Sequence, residues 1–96
     1  MHVVVNHLRL REPLPDASLE ELRQGMQPVV DAGGLAARVA KVDDTHLILI
    51  LDFGTAEDAD RIAREVGGPL MREHVRPFLA GDTERTVGEV IASAEA

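Results

Sequence analysis

The stretch THLILILDF, residues 45–53, limits what this chain can fold into more than any other segment. Read as a strand, it places His46, Ile48, Ile50 and Asp52 on one face and Leu47, Leu49, Leu51 and Phe53 on the other. Its middle is apolar on both sides, whereas a strand with one wet face alternates. A chain of 96 residues builds one core and supplies helices for only one side of a sheet. Something else must cover the second side. A second copy of the chain is the economical cover, so a homodimer is expected.

The segments around this strand complete a pattern. Val3, Val4, Val5, Leu8 and Leu10 in MHVVVNHLRL read as a first strand, and Pro13 and Pro15 in REPLPDA make the next segment a loop. Ser18 is expected to open a helix, because SLEE has the S-x-x-E form in which the serine caps the backbone and Glu21 reaches back. Leu19, Leu22, Met26, Val29 and Val30 follow on one helical face; Gly25 and Pro28 weaken the second half, and Gly33 and Gly34 end it. LAARVAKV reads as a second strand, joined through Asp43 and Asp44 to THLILILDF as an antiparallel hairpin. Thr55 starts another helix with T-x-x-D, carrying Ala59, Ile62, Ala63 and Val66 on its apolar side. GGP at 67–69 is expected to break it. Pro69 then opens a third helix, PLMREHVRPFLAG, with Gly81 past its end, and TERTVGEVIASA is a last strand with Gly88 as a bulge. The order β-α-β-β-α-β is that of an α+β, ferredoxin-like fold, an antiparallel sheet with helices on one face, here a single domain over residues 1–96.

Composition removes several classes of function. Aromatic residues are 2% of the chain, Phe53 and Phe78, so a pocket must be walled by aliphatic side chains and methionine, and there is no platform for stacking bases. The net charge of −7 argues against nucleic acid as a partner, since phosphate binding rests on Lys and Arg. Without cysteine there is no disulfide framework, thiolate nucleophile or Cys-ligated metal. The strand pattern starts at residue 2, and no stretch approaches the ~20 apolar residues of a spanning helix. A cytoplasmic protein with no membrane partner is expected.

Three side chains carry the chemistry worth testing. His74 shares the helical stripe of Leu70, Met71, Val75 and Phe78, which directs it toward the sheet. An inward histidine of this kind is a ligand, a general base, or a core residue with a satisfied hydrogen bond. Asn6 and His7 are strand neighbours and face opposite sides of the sheet. Asn6 goes with Val4, Leu8 and Leu10, which suits the helix-covered side; His7 goes with Val3, Val5 and Arg9, which suits a subunit interface. Asn6 and His74 are then expected to line one cavity, with Val4, Leu8, Met71 and Phe78 as its apolar wall. In that cavity His74 is a usable base near neutral pH and Asn6 an oxyanion donor. In a filled core each would instead bond a nearby backbone group. His46 is expected at the rim. The GG pairs at 33–34 and 67–68 lack a nucleotide fingerprint, no histidine spacing suits a metal, and neither Ser18 nor Ser93 is placed as an activated nucleophile.

With this topology, the VVVNHLRL strand, the LILILDFGTAEDADRI strand-to-helix passage and the REHVRPFLAG helix end, the chain resembles the dimeric α+β barrel superfamily, and within it the antibiotic biosynthesis monooxygenase-like proteins. The resemblance spans essentially the whole chain. It implies a homodimer whose sheets form a barrel, with a pocket between sheet and helices in each subunit. It also implies cofactor-independent oxygenation of an apolar or aromatic small molecule that itself reacts with oxygen. A non-catalytic binding module and a structural dimer remain alternatives. Asn6 and His74 match by position an Asn and a His of haem-degrading members, but the Trp that distorts haem there has no counterpart in a chain without Trp. Incubation with haem and a reductant should therefore leave the absorbance spectrum free of verdohaem-like or bilin products. Their appearance, with loss on His74→Ala, would show the opposite.

Overall fold

The computed structural model describes residues 1–96. Four strands, β1 (His2–Arg9), β2 (Ala36–Asp43), β3 (His46–Phe53) and β4 (Glu84–Glu89), form one antiparallel sheet in the order β2-β3-β1-β4. Helices α1 (Asp16–Gln24) and α2 (Met26–Asp31) connect β1 to β2. Between β3 and β4 run α3 (Ala56–Ile62), a π-helical turn at Ala63–Gly67, α4 (Gly68–His74) and a 3-10 turn at Arg76–Phe78. This is the ferredoxin-like arrangement expected from the order of elements. None of the helices is long and apolar enough to cross a membrane.

The central pair β1 and β3 sorts side chains between the two faces. Val4 pairs with Leu51, Asn6 with Leu49 and Leu8 with Leu47, and residues directly opposite in a ladder share a face. Leu47, Leu49, Leu51 and Phe53 are buried under the helices, while Ile48 and Ile50 on the other face are only half-buried, as are Val3 and Val5 beside them. The doubly apolar strand thus has one face in the core and one uncovered.

The core has two parts. Val4, Leu49, Leu51 and Phe53 pack against Val29 of α2 and Ala59 and Ile62 of α3. Leu8 and Leu47 pack with Leu10, Leu14, Leu22 and Val75. Gly25, at the junction of α1 and α2, allows a close approach: a Cβ there would lie 2.4 Å from Leu70 Cδ2.

Several local boundaries differ from expectation. Ser18 does not cap α1; the helix begins two residues earlier, where the Leu19 N–H donates to the Pro15 carbonyl at 3.0 Å, and no side chain caps it. A proline preceding the helix has a fixed φ and no N–H, so the chain enters the first turn there. Pro28 does no damage because α2 restarts at Met26 and places it in a first turn, where its missing donor is not required. GGP does not break the helix either. Gly67 and Gly68 have right-handed helical φ/ψ, and the wider π turn carries the chain into α4 with Pro69 in its first turn. The third helix ends at His74 rather than near Gly81, because Pro77 has no N–H for the Glu73 carbonyl and its ring crowds that carbonyl; Val75 has φ −121° and Arg76–Phe78 forms a single tight turn. Gly88 is no bulge but pairs in register with Val3, and the last strand stops at Glu89.

Two turns are fixed as their residues suggest. Thr55 Oγ1 accepts from the Asp58 N–H at 3.1 Å, capping α3. In the β2–β3 hairpin Asp43 Oδ1 accepts from the Thr45 N–H at 2.9 Å, which holds the Asp43 carboxyl below its usual pKa. Gly33, after α2, has φ +122°, a region essentially closed to other residues. Gly33→Ala should lower the denaturation midpoint without changing its denaturant dependence, at a cost of about 1–3 kcal/mol.

Candidate functional site

A cavity of about 190 Å³ lies between the sheet and the α3–α4 segment. Its floor is Val4, Asn6, Leu49, Leu51 and Phe53, and its roof is Ala59, Ala63, Gly67, Gly68 and Met71. Thr83 and Arg85 close one side. The floor follows from the β1–β3 register, which turns Asn6 and Leu49 to the same face, and Arg85 joins them because β4 pairs it with Asn6 from the other side of β1. The roof contains two glycines and two alanines, so the helical segment leaves room above the sheet where larger residues would fill it.

Three residues with polar side chains, Asn6, Thr83 and Arg85, are among those that line this otherwise apolar space. The side-chain hydrogen bonds of the chain include none from Asn6. Arg85 Nη2 is 3.8 Å from Asp60 Oδ1, and its side chain is 39% exposed, so this long contact leaves donors free. No His, Asp or Glu lines the cavity. Its chemistry is to hold an apolar body and to meet an oxygen with N–H donors.

The residues singled out from the sequence divide. Val4, Asn6 and Met71 line the cavity. Leu8 is fully buried in the second part of the core, and Phe78 packs against that part, so neither wall residue belongs to the site. His74 does not meet Asn6. Its Nε2 is 3.8 Å from Glu21 Oε2 and 3.6 Å from Glu73 Oε2, which puts it against α1. The reason is helical: His74 lies one turn after Leu70, and Leu70 packs on Gly25 at the α1–α2 junction, while Met71 is the residue turned to the cavity. Of the stripe expected here only Leu70, Met71 and His74 lie on α4, and its Leu70–His74 edge faces a helix and not the sheet.

His7 lies on the uncovered face. Its Nδ1 is 3.0 Å from His46 Nε2, with ring centroids 5.3 Å apart, so one imidazole donates to the other. His46, expected at the rim, is half-buried in this pair. Arg85 and Thr83 were missed. The alternation in TERTVGEV puts Arg85 and Val87 on one face, but only the pairing with β1 shows that this face is the cavity side.

No family model matches the chain, and no curated protein matches it. Solved structures do. A putative antibiotic biosynthesis monooxygenase from Nitrosomonas europaea superimposes with a TM-score of 0.78 at 16% identity, over 96% of this chain and 100% of that one. SnoaB, a cofactor-independent oxygenase from Streptomyces nogalater, gives a TM-score of 0.77 at 10% identity over 96% and 94%. A dimeric ferredoxin-like protein from an uncultured marine organism gives 0.72 at 11% identity over 99% and 91%. At these identities the likeness is one of fold, and the chain has the ferredoxin-like fold of the antibiotic biosynthesis monooxygenase-like proteins.

Proposed function

We propose that this chain works as a homodimer in which the sheet–helix cavity of each subunit binds an apolar, oxygen-bearing small molecule and acts on it as a cofactor-independent oxygenase. The observation that carries the reading is the meeting of Asn6, Thr83 and Arg85 at an otherwise apolar cavity. The fold shared with SnoaB supports the reaction type.

Size and charge narrow the substrate. A cavity of ~150 Å³ holds a benzene-sized guest, so 190 Å³ suits one or two rings, with larger molecules protruding. With no base in the lining, the substrate must lose its own proton readily, as an acidic phenol or enol does. The Arg85 guanidinium lowers the pKa of such a group beside it, and the Asn6 amide donates to the resulting oxyanion. The electron-rich anion is then the partner of oxygen. The same absence of a base favours a second reading, a binding module without turnover.

The homodimer reading is supported by the uncovered sheet face, where Val3, Val5, Ile48 and Ile50 form an apolar centre, and by the neighbour described as dimeric. Ile50 pairs directly with Val5. Light scattering at micromolar concentration should show a dimer, and Ile50→Asp should shift it to monomer. A stable wild-type monomer would overturn the barrel assembly.

Calorimetry with one- and two-ring phenols and enols should detect binding that Arg85→Met or Asn6→Ala weakens by about tenfold, the effect of losing a charge-assisted or oxyanion hydrogen bond. His74→Ala should leave binding unchanged. Oxygen uptake with a bound compound separates the oxygenase from the binding module, and binding that ignores Arg85 and Asn6 would defeat both.

A further inference from the structure

Beyond the cavity, a second depression of about 370 Å³ shares Met71 and Thr83 with it and is lined by Arg72, Arg76 and Asp82. The two spaces therefore adjoin at Met71 and Thr83. Arg72 also reaches toward the cavity roof: its Nη1 would lie 3.3 Å from a Cβ at Gly68, itself a roof residue. Arg72 and Arg76, like Arg11, Arg38 and Arg64, take part in no ion pair, and of these five only Arg72 and Arg76 line the depression. Two guanidiniums against one carboxylate leave this groove locally positive in a chain of net charge −7. An anion held by Arg72 and Arg76 would balance the positive charge that Asp82 alone leaves uncompensated.

We infer that the ligand of this site carries an anionic tail, a carboxylate or phosphate group, that leaves the cavity past Met71 and Thr83 and is held by Arg72 and Arg76. The inference rests on the cavity being a ligand site. The ring portion lies against Val4, Leu49 and Met71, its oxygen meets Asn6 and Arg85, and the tail takes N–H donors from the two guanidiniums, whose planar fork matches either anion. The arrangement selects amphipathic acids over neutral rings of the same size.

The test compares three fluorescent probes on the intact chain, which has no Trp or Tyr to interfere: naphthyl methyl ether, naphthyl phosphate and naphthoxyacetate. In low salt both anionic probes should bind about tenfold or more tightly than the ether, the worth of a charge-assisted hydrogen bond. The double variant Arg72→Gln, Arg76→Gln should remove that advantage while ether binding stays as in wild type. Both arginines are exposed, and thermal melts will establish that the variant is folded. A preference for only one of the two anions identifies which tail the groove takes. Equal binding of ether and anions to wild type overturns the inference and leaves the cavity reading standing, as does an anionic advantage that survives in the double variant. If the ether and both anions fail to bind, the cavity reading falls and this inference with it.

Discussion

Everything distinctive in this molecule depends on the pairing of β1 with β3. An antiparallel ladder fixes which side chains stand together, and a slip of one residue would send each to the opposite face. The observed register sends Val4, Leu8 and the leucines of β3 to the helices and leaves Val5, His7, Ile48 and Ile50 on the uncovered side. The polar residue Asn6 is carried into the helix side by its neighbours. Burying those large aliphatics, at roughly 1.5–3 kcal/mol each, outweighs the cost of one half-buried amide.

The helices then decide where that side is filled and where it is hollow. Near the β1 end that carries Leu8, the side chains of Leu10, Leu14, Leu22 and Val75 fill most of the space. Beside Asn6, the roof is made largely of Ala59, Ala63, Gly67 and Gly68, small residues that leave room above the floor. The cavity is thus the product of small residues in one helical stretch set over a well-ordered sheet. On its rim, Arg85 comes from β4, the edge strand whose ladder partner is β1 alone, and Thr83 from the residue just before it.

Much of this was legible in the sequence, because strand periodicity and the order of elements are local signals. THLILILDF showed both of its faces, T-x-x-D marked a real cap at Thr55, and the alternation around Asn6 put it on the correct side. What failed was long-range or depended on geometry between elements. Ser18 has the residue types of a capping box, but Pro15 had already set the helix start. GGP carries three helix-weakening residues, yet a wider turn absorbs them. The direction of His74 required knowing that the Leu70 side of α4 meets α1, and Arg85 required knowing which strand β4 joins. Neither is written in spacing along one segment.

The π turn at Ala63–Gly67 sets the rotation of everything after it. A π turn holds more residues per turn than an α-helix, and each residue of α4 advances its direction by about 100°. Five residues at the π pitch rotate the chain about as far as four at the α pitch, so the turn absorbs one extra residue and hands α4 on in α-helical phase. Loss of one residue there, with α3 held in place by Ala59 and Ile62, would leave a plain α-helix with Met71 still turned to the cavity. The lining is therefore buffered at this point against a single-codon deletion, which inside a regular helix would rotate every later side chain by about 100°.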